Sequence, residues 1–204
     1  FYDDRVSHDE SLSALDDLVR SGKVRYIGCS NYLAYQLATA LGRSDVNKWE
    51  RFASVQPRYN MLFRENEREL LPLCAEQGLA VIPYNPLAGG FLTGKHQKGA
   101  PTADTRFTIG GGTAERYQER YWQDQMFATL DALRGIAAEA DMTVAQLAIA
   151  WQFTRPTITS PIIGASKPEQ LVDAVNAVRT PLSAELTQRL DVLTHEYRFG
   201  DSAR

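Results

Sequence analysis

Leu12, Leu15, Leu18 and Val19 recur at helical spacing behind Ser7-His8-Asp9-Glu10, and Gly22 follows them. A serine three residues ahead of a glutamate can satisfy unpaired amides reciprocally, so the pattern predicts a helix of about three turns stopped at the glycine. Val24-Arg25-Tyr26-Ile27-Gly28-Cys29 is short and β-prone, and Leu33, Leu37, Ala38 and Leu41 return to helical spacing as far as Gly42. The unit then repeats. Phe52-Ala53-Ser54-Val55-Gln56 predicts a strand, and residues 67–77 a helix with an irregularity at Pro72 and a stop at Gly78. Leu79-Ala80-Val81-Ile82-Pro83-Tyr84 predicts a further strand. Strand starts at 24, 52 and 79 lie about 28 residues apart. That period belongs to βα units, whose parallel sheets bury near-continuous apolar strands.

The period breaks after Tyr84. Residues 85–112 are rich in Gly, Pro, Thr and Lys without sustained periodicity, which predicts a long loop. One amphipathic helix is predicted over 114–140. Thr143-Val144-Ala145-Gln146 then opens a second helix that runs to Phe153. Ser160-Pro161-Ile162-Ile163-Gly164 predicts the last strand. It runs into Ser166-Lys167-Pro168-Glu169, another S-x-x-E start, with Leu171, Val172, Val175 and Val178 on one helix face. A final helix over 184–197 carries Leu186, Leu190 and Leu193.

With 44% hydrophobic and 23% charged residues, 204 residues can bury a core, and the chain reads as a single soluble domain over 1–204. Its 22 basic and 25 acidic residues give a net charge of −3, which supplies no field for gripping nucleic acid or an anionic membrane. No apolar run approaches the roughly 20 residues of a membrane helix. Cys29 and Cys74 lack CxxC or Cys/His spacing, so they are expected to be core thiols in a reducing, cytoplasmic setting, with no metal site. An eight-stranded (β/α) barrel takes about 250 residues. The α/β pattern therefore fits the carboxyl-terminal portion of a barrel or a small open sheet.

Several residues carry candidate chemistry. Ser30-Asn31 follows an apolar strand and can bond a ligand, or cap the helix beginning near Leu33. Gln56 would be costly if buried without a partner. Tyr84 reads as a core aromatic or a stacking platform. Pro86-Leu87-Ala88-Gly89-Gly90 offers amides that can approach an anion, although ordinary turns use Gly-Gly too. Lys95 and Arg106 are loop cations. In Gly164-Ala165-Ser166-Lys167 a strand leads into a helix amino terminus, whose free amides and positive dipole end favour an anion.

Four runs occur in order: Ser21-Gly22-Lys23-Val24-Arg25-Tyr26-Ile27-Gly28-Cys29-Ser30-Asn31, Val55-Gln56-Pro57-Arg58-Tyr59-Asn60, residues 84–95 (YNPLAGGFLTGK), and Ile162-Ile163-Gly164-Ala165-Ser166. Together they resemble the aldo-keto reductases, most of all the branch holding the potassium-channel β-subunits and bacterial general-purpose reductases. The resemblance implies a (β/α)8 TIM barrel to which this chain gives roughly strands 5–8. It implies NADP(H) at the carboxyl ends of the strands and an oxidoreductase that reduces aldehydes or ketones to alcohols without a metal. Ser30, Asn31 and Gln56 would hold the nicotinamide carboxamide, and Tyr84 would stack on the ring. Asn85, Pro86, Leu87 and Gly89 would line the phosphates, with Lys95 and Arg106 closing over the pyrophosphate or adenosine end. Gly164 and Ser166 would bind phosphate, and Gln170 the adenosine phosphate or ribose. Asp173-Ala174 stands where relatives often carry Glu-Asn for the adenine, which weakens that contact.

The family's catalytic Asp, Tyr and Lys, and a His in an H-x-x-D pattern, lie on earlier strands. Phe1-Tyr2-Asp3 looks like the residues just after that His, so the catalytic set is expected upstream and the chain alone is expected to be inactive. His8, His96 and His195 do not match the catalytic position. An NADP-binding regulatory subunit with little turnover is the alternative, and a phosphate-gripping lyase or isomerase a more distant one. The expected partners are a small carbonyl substrate, bordered by Phe107, Ile109, Tyr117 and Tyr121, and either a second copy or the missing amino-terminal half.

Overall fold

In the computed structural model, which describes residues 2–165 and 167–200, the Ser7 hydroxyl accepts the Glu10 amide and opens α1 (His8–Arg20). The Leu18 carbonyl accepts the Lys23 and Val24 amides. Those two residues are thus tied to the end of the helix, and β1 (Ile27–Ser30) begins three residues later than the pattern predicts. β1, β2 (Phe52–Gln56) and β3 (Ala80–Val81) form a parallel sheet in that order. The register sets Cys29 against Val55 and Ser30 against Gln56, so the last residues of two strands lie side by side. It shifts between Ile27 and Gly28, where the backbones come so close that a Cβ on Gly28 would lie 2.9 Å from the Ser54 carbonyl oxygen.

β3 is shorter than its apolar run, because Pro83 has no amide to give. Pairing nevertheless persists beside it, from the Ile82 amide to the Val55 carbonyl and from the Tyr84 amide to the Pro57 carbonyl, each at 3.0 Å. The strand predicted at 160–164 is absent. Pairing falls earlier instead, with Ile158 bridged to Val81 in parallel while the Thr159 hydroxyl accepts the Val81 amide at 3.1 Å.

α2 (Ala34–Asn47) continues through Gly42, where a stop was expected. A mid-helix glycine costs only about 1 kcal/mol, and buried Leu41 and Ser44 bracket it. The helix ends at left-handed Lys48, whose amide donates to the Ser44 carbonyl. α3 (Leu70–Gln77) starts after a 3-10 turn at Glu65–Glu67, which puts Pro72 in its first turn, where a missing N–H breaks no helical bond. Gly78, at φ +66°, closes it as predicted.

The described chain forms two compact units, one from the described residues of Phe1–Arg58, Asn66–Tyr84 and Thr157–Ser160, the other from those of Tyr59–Glu65, Asn85–Pro156 and Pro161–Arg204. The first holds the sheet with α1 to α3. In the second, the 85–112 segment is structured rather than a bare loop. It contains 3-10 turns over Ala88–Thr93 and feeds an aromatic cluster of Phe91, His96, Phe107, Trp122 and Phe127.

The single helix predicted over 114–140 is two, α4 (Thr113–Tyr121) and α5 (Asp124–Glu139). They part where Trp122 turns into the cluster and its indole N–H donates to the Gly99 carbonyl at 2.7 Å. α6 (Val144–Phe153) carries the predicted Thr143–Gln146 capping box.

α7 (Val172–Arg179) is preceded by a 3-10 turn at Pro168–Leu171. Its apolar stripe does not face inward: Leu171, Val172, Val175 and Val178 are exposed. The helix presents Ala174 and Ala177 to Ile149 and Ala150 of α6, where small side chains allow close approach, and the Thr143 hydroxyl donates to Asp173. α8 (Ala184–Leu193) stops short of Tyr197 and ends in a 3-10 turn at His195–Phe199, with the buried Thr194 hydroxyl bonding the Leu190 carbonyl and accepting from Arg64.

Among the described residues no helix is long and apolar enough to cross a membrane, and no three His, Cys, Asp or Glu side chains gather as a cation site.

Candidate functional site

In the first unit, four of the predicted residues meet at the carboxyl ends of the strands. The Ser30 hydroxyl donates to the Gln56 carbonyl at 2.9 Å and accepts from the Asn31 side-chain amide at 3.2 Å. Asn31 adopts a left-handed φ of 55°, with its own amide on the same Gln56 carbonyl. The Tyr84 hydroxyl donates to Asn31 Oδ1 at 3.1 Å. Neither Ser30 nor Asn31 caps α2. That helix starts from Leu33, whose amide is taken by the Gln36 side chain at 2.9 Å, so the capping alternative fails. The Gln56 side chain is exposed rather than buried, so its carboxamide is open to a ligand. The result is a bonded platform with a half-buried phenol ring beside it.

In the second unit the sequence expectation is met by a different local arrangement. Asn85 is left-handed at φ 63°, and its carbonyl accepts from Asn60 and from Ala88. Its side chain accepts the Gly89 amide and donates to the Tyr121 hydroxyl. The Gly90 amide is taken by the Leu87 carbonyl at 2.8 Å. The amides of the small-residue turn are therefore bonded within it. Pro86 is buried, and Leu87 packs on Ile149, Ala150 and Ala177, a structural duty. Gly89, at φ +70°, makes room for the Tyr117 ring, whose nearest carbons lie 2.4 Å from where a Cβ would stand.

Arg106 donates to the Tyr117 hydroxyl at 3.1 Å, and its Nη2 lies 3.7 Å from a Cβ position on Gly164. Gly89, Arg106 and Gly164 thus come together around Tyr117. Lys95 is exposed and makes no side-chain hydrogen bond or ion pair with the described residues. Gln170 accepts the Lys167 amide at 3.4 Å. Ser166 lies outside the described residues, and the α-helix expected to begin there begins only at Val172, so the anion-favouring dipole end does not stand at Gly164. Pro168 lacks an N–H, and the turn it opens is 3-10. Ala174 packs against α6, which accounts for a small residue at that position.

Of the four residues expected to border a substrate pocket, Phe107 and Tyr121 are buried instead, Tyr117 is half-buried and Ile109 is exposed. His96, within the segment expected to be a long loop, is fully buried, with neither ring nitrogen bonded among the described residues. Its pKa is pulled down to about 4, first by burial and then by the charges of Lys95 and Arg134. Burial pushes the Cys29 thiol up to about 12 and the Cys74 thiol to about 11, which leaves both protonated and unreactive. Asn60 and Tyr121 seat Asn85, a role that sequence reasoning did not give them. The polar Asn60 just after the apolar β2 was the available signal.

The profile of the Aldo/keto reductase family matches residues 2–194. A Schizosaccharomyces pombe protein named "Putative aryl-alcohol dehydrogenase" is 36% identical over 184 residues, 90% of this chain and 50% of that protein. Versiconal hemiacetal acetate reductase of Aspergillus parasiticus is 32% identical over 189 residues, 93% of this chain and 54% of its own. An Arabidopsis thaliana protein named "Probable voltage-gated potassium channel subunit beta" is 35% identical over 174 residues, 83% of this chain and 52% of its own. The chain spans about half the length of the curated relatives it matches.

Proposed function

Because this chain belongs to the aldo/keto reductase family, a family of oxidoreductases, we propose that it holds NADP(H) in a protein that reduces aldehydes or ketones to alcohols. The observation that carries this reading is the Ser30–Asn31–Gln56–Tyr84 platform at the strand ends. Its donor set fits a nicotinamide. The exposed Gln56 carboxamide can both donate to and accept from a ligand amide, and the Tyr84 ring, braced through its hydroxyl, offers an aromatic face. The bound cofactor would supply the hydride. This chain's residues would fix which ring face is presented and keep the carboxamide from turning.

For the phosphates, Lys95 and Arg106 would supply charge, Gly164 would allow close approach, Gly89 would admit the Tyr117 ring that seats Arg106, and Asn85, Pro86 and Leu87 would shape the turn. Ser166 would bind phosphate and Gln170 would reach the adenosine phosphate or ribose, with NADP preferred over NAD. No catalytic residue is assigned within the chain, so turnover is proposed for the whole protein. The three-stranded parallel sheet with the Ile158 bridge is read as roughly strands 5–8 of one TIM-barrel domain. A cytoplasmic location, a small carbonyl substrate, and self-association or association with the rest of the barrel complete the proposal. A second reading, an NADP-holding regulatory subunit, draws support from the Arabidopsis relative's name.

Titrating NADPH into the protein while following nicotinamide fluorescence tests both readings. A blue shift with saturable enhancement is expected, and no change at millimolar NADPH would sink both. Reduction of aromatic aldehydes by the whole protein then separates enzyme from regulator.

A further inference from the structure

Tyr117 is the point at which the proposed phosphate-side residues converge. Its ring occupies the space a side chain on Gly89 would need, at 2.4 Å from the Cβ position. Its hydroxyl accepts from Arg106 Nη1 at 3.1 Å, and the guanidinium carbon stands 5.8 Å from the ring centroid, so one aromatic side chain grips the cation by both edge and face. The same guanidinium places Nη2 3.7 Å from the Cβ position of Gly164. Tyr117 is itself fixed, packed edge-on against buried Phe107 at 6.0 Å while the neighbouring Gln118 side chain donates to the Phe107 carbonyl at 2.6 Å. An exposed arginine on an irregular segment ordinarily samples many rotamers and must be ordered when it binds an anion. Here the Tyr117 hydroxyl and ring hold the Arg106 guanidinium in one such arrangement.

We propose that Tyr117 is a positioning residue that presets the Arg106 guanidinium beside Gly164, so that a phosphate-bearing ligand meets a cation already in place. The inference rests on the cofactor reading above, and it names the device that readies the phosphate side of that site. Tyr117 need not touch the ligand. It acts through Arg106, and the closeness of Gly89 is what lets it stand there.

A double-mutant cycle tests this, with Tyr117→Phe, Arg106→Ala and their combination titrated with NADPH by nicotinamide fluorescence. Loss of one solvent-exposed hydrogen bond predicts binding weakened roughly three- to tenfold in Y117F. R106A is expected to weaken binding at least as much, and the double variant no further than R106A alone. Additive effects, or Y117F binding as tightly as the parent, would overturn the proposal.

A second readout needs no cofactor. Phenylglyoxal labelling of Arg106, followed by mass spectrometry with exposed Arg179 as internal reference, should be several-fold faster in Y117F. Equal labelling rates overturn the proposal on their own. If the parent protein shows no NADPH binding yet Y117F frees Arg106, the cofactor reading falls while the clasp between Tyr117 and Arg106 stands.

Discussion

The Tyr84 hydroxyl donates to Asn31 Oδ1 at 3.1 Å, joining the residue that follows Pro83 to a left-handed asparagine just beyond β1. Tyr84→Phe keeps the ring and deletes the bond. It is expected to cost about 1 kcal/mol in urea denaturation and to weaken NADPH severalfold, since Asn31 would no longer be held against Ser30. Unchanged stability and affinity would show that the bond serves neither role.

Gly28→Ala should damage the sheet without touching the candidate site chemically. Its Cβ would stand 2.5 Å from Ser54 Oγ and 2.9 Å from the Ser54 carbonyl oxygen, and backbone cannot rotate out of the way. A loss of roughly 1–3 kcal/mol is expected, as for other overpacked positions. A thermal midpoint equal to that of the parent would refute the close approach.

Burial of His96 is expected to make the fold acid-sensitive. Its folded pKa, about 4, lies below the ordinary histidine value of about 6.5. Between those pH values the unfolded chain therefore binds a proton that the folded chain refuses. Stability should be level above about pH 6.5 and fall as pH drops toward 4, by on the order of 1–3 kcal/mol. His96→Leu should flatten that segment of the curve, and a slope that survives the substitution would assign it to other groups.

Arg134 fastens the same segment from α5. Its guanidinium donates to the Gly94 carbonyl through Nε at 3.2 Å and Nη2 at 2.6 Å, and it also bonds the His96 carbonyl. Arg134→Met is expected to speed amide exchange between residues 94 and 107 by about tenfold or more while leaving β1 and β2 unaffected, because charge-assisted bonds carry roughly 1.5–3 kcal/mol each. Exchange unchanged in that stretch would mean that the aromatic cluster alone secures it.

Local chemistry was the part of the fold legible in the sequence. The capping residues Ser7 and Thr143 and the left-handed stop at Gly78 act where the pattern placed them, because each depends on atoms within four residues. Tertiary decisions were not legible. Gly42 reads as a stop, but buried neighbours carry α2 past it. Trp122 reads as a helical residue until its indole finds Gly99. Leu171, Val172, Val175 and Val178 form a proper apolar stripe, yet α6 packs on the small residues of the opposite side.

The candidate site divides the same way. Ser30 and Gln56 end neighbouring strands, with Asn31 just beyond β1 and Tyr84 three residues beyond β3, so the βα period brings these segments side by side. The Asn85 carboxamide takes the Gly89 amide that the sequence offered to an anion, and only coordinates reveal that exchange. Tyr117 as the seat of Arg106 is likewise a contact between a loop and a helix, invisible to spacing.

Trp122 lies 5.2 Å from His96, centroid to centroid, and 4.9 Å from Phe107, with its indole N–H committed to Gly99. Trp49 and Trp151 stand elsewhere in the sequence. An imidazolium quenches indole emission where a neutral imidazole does so far less. Trp122 emission is thus expected to fall as His96 takes up its proton, a change readable in dilute solution without a dye or a label.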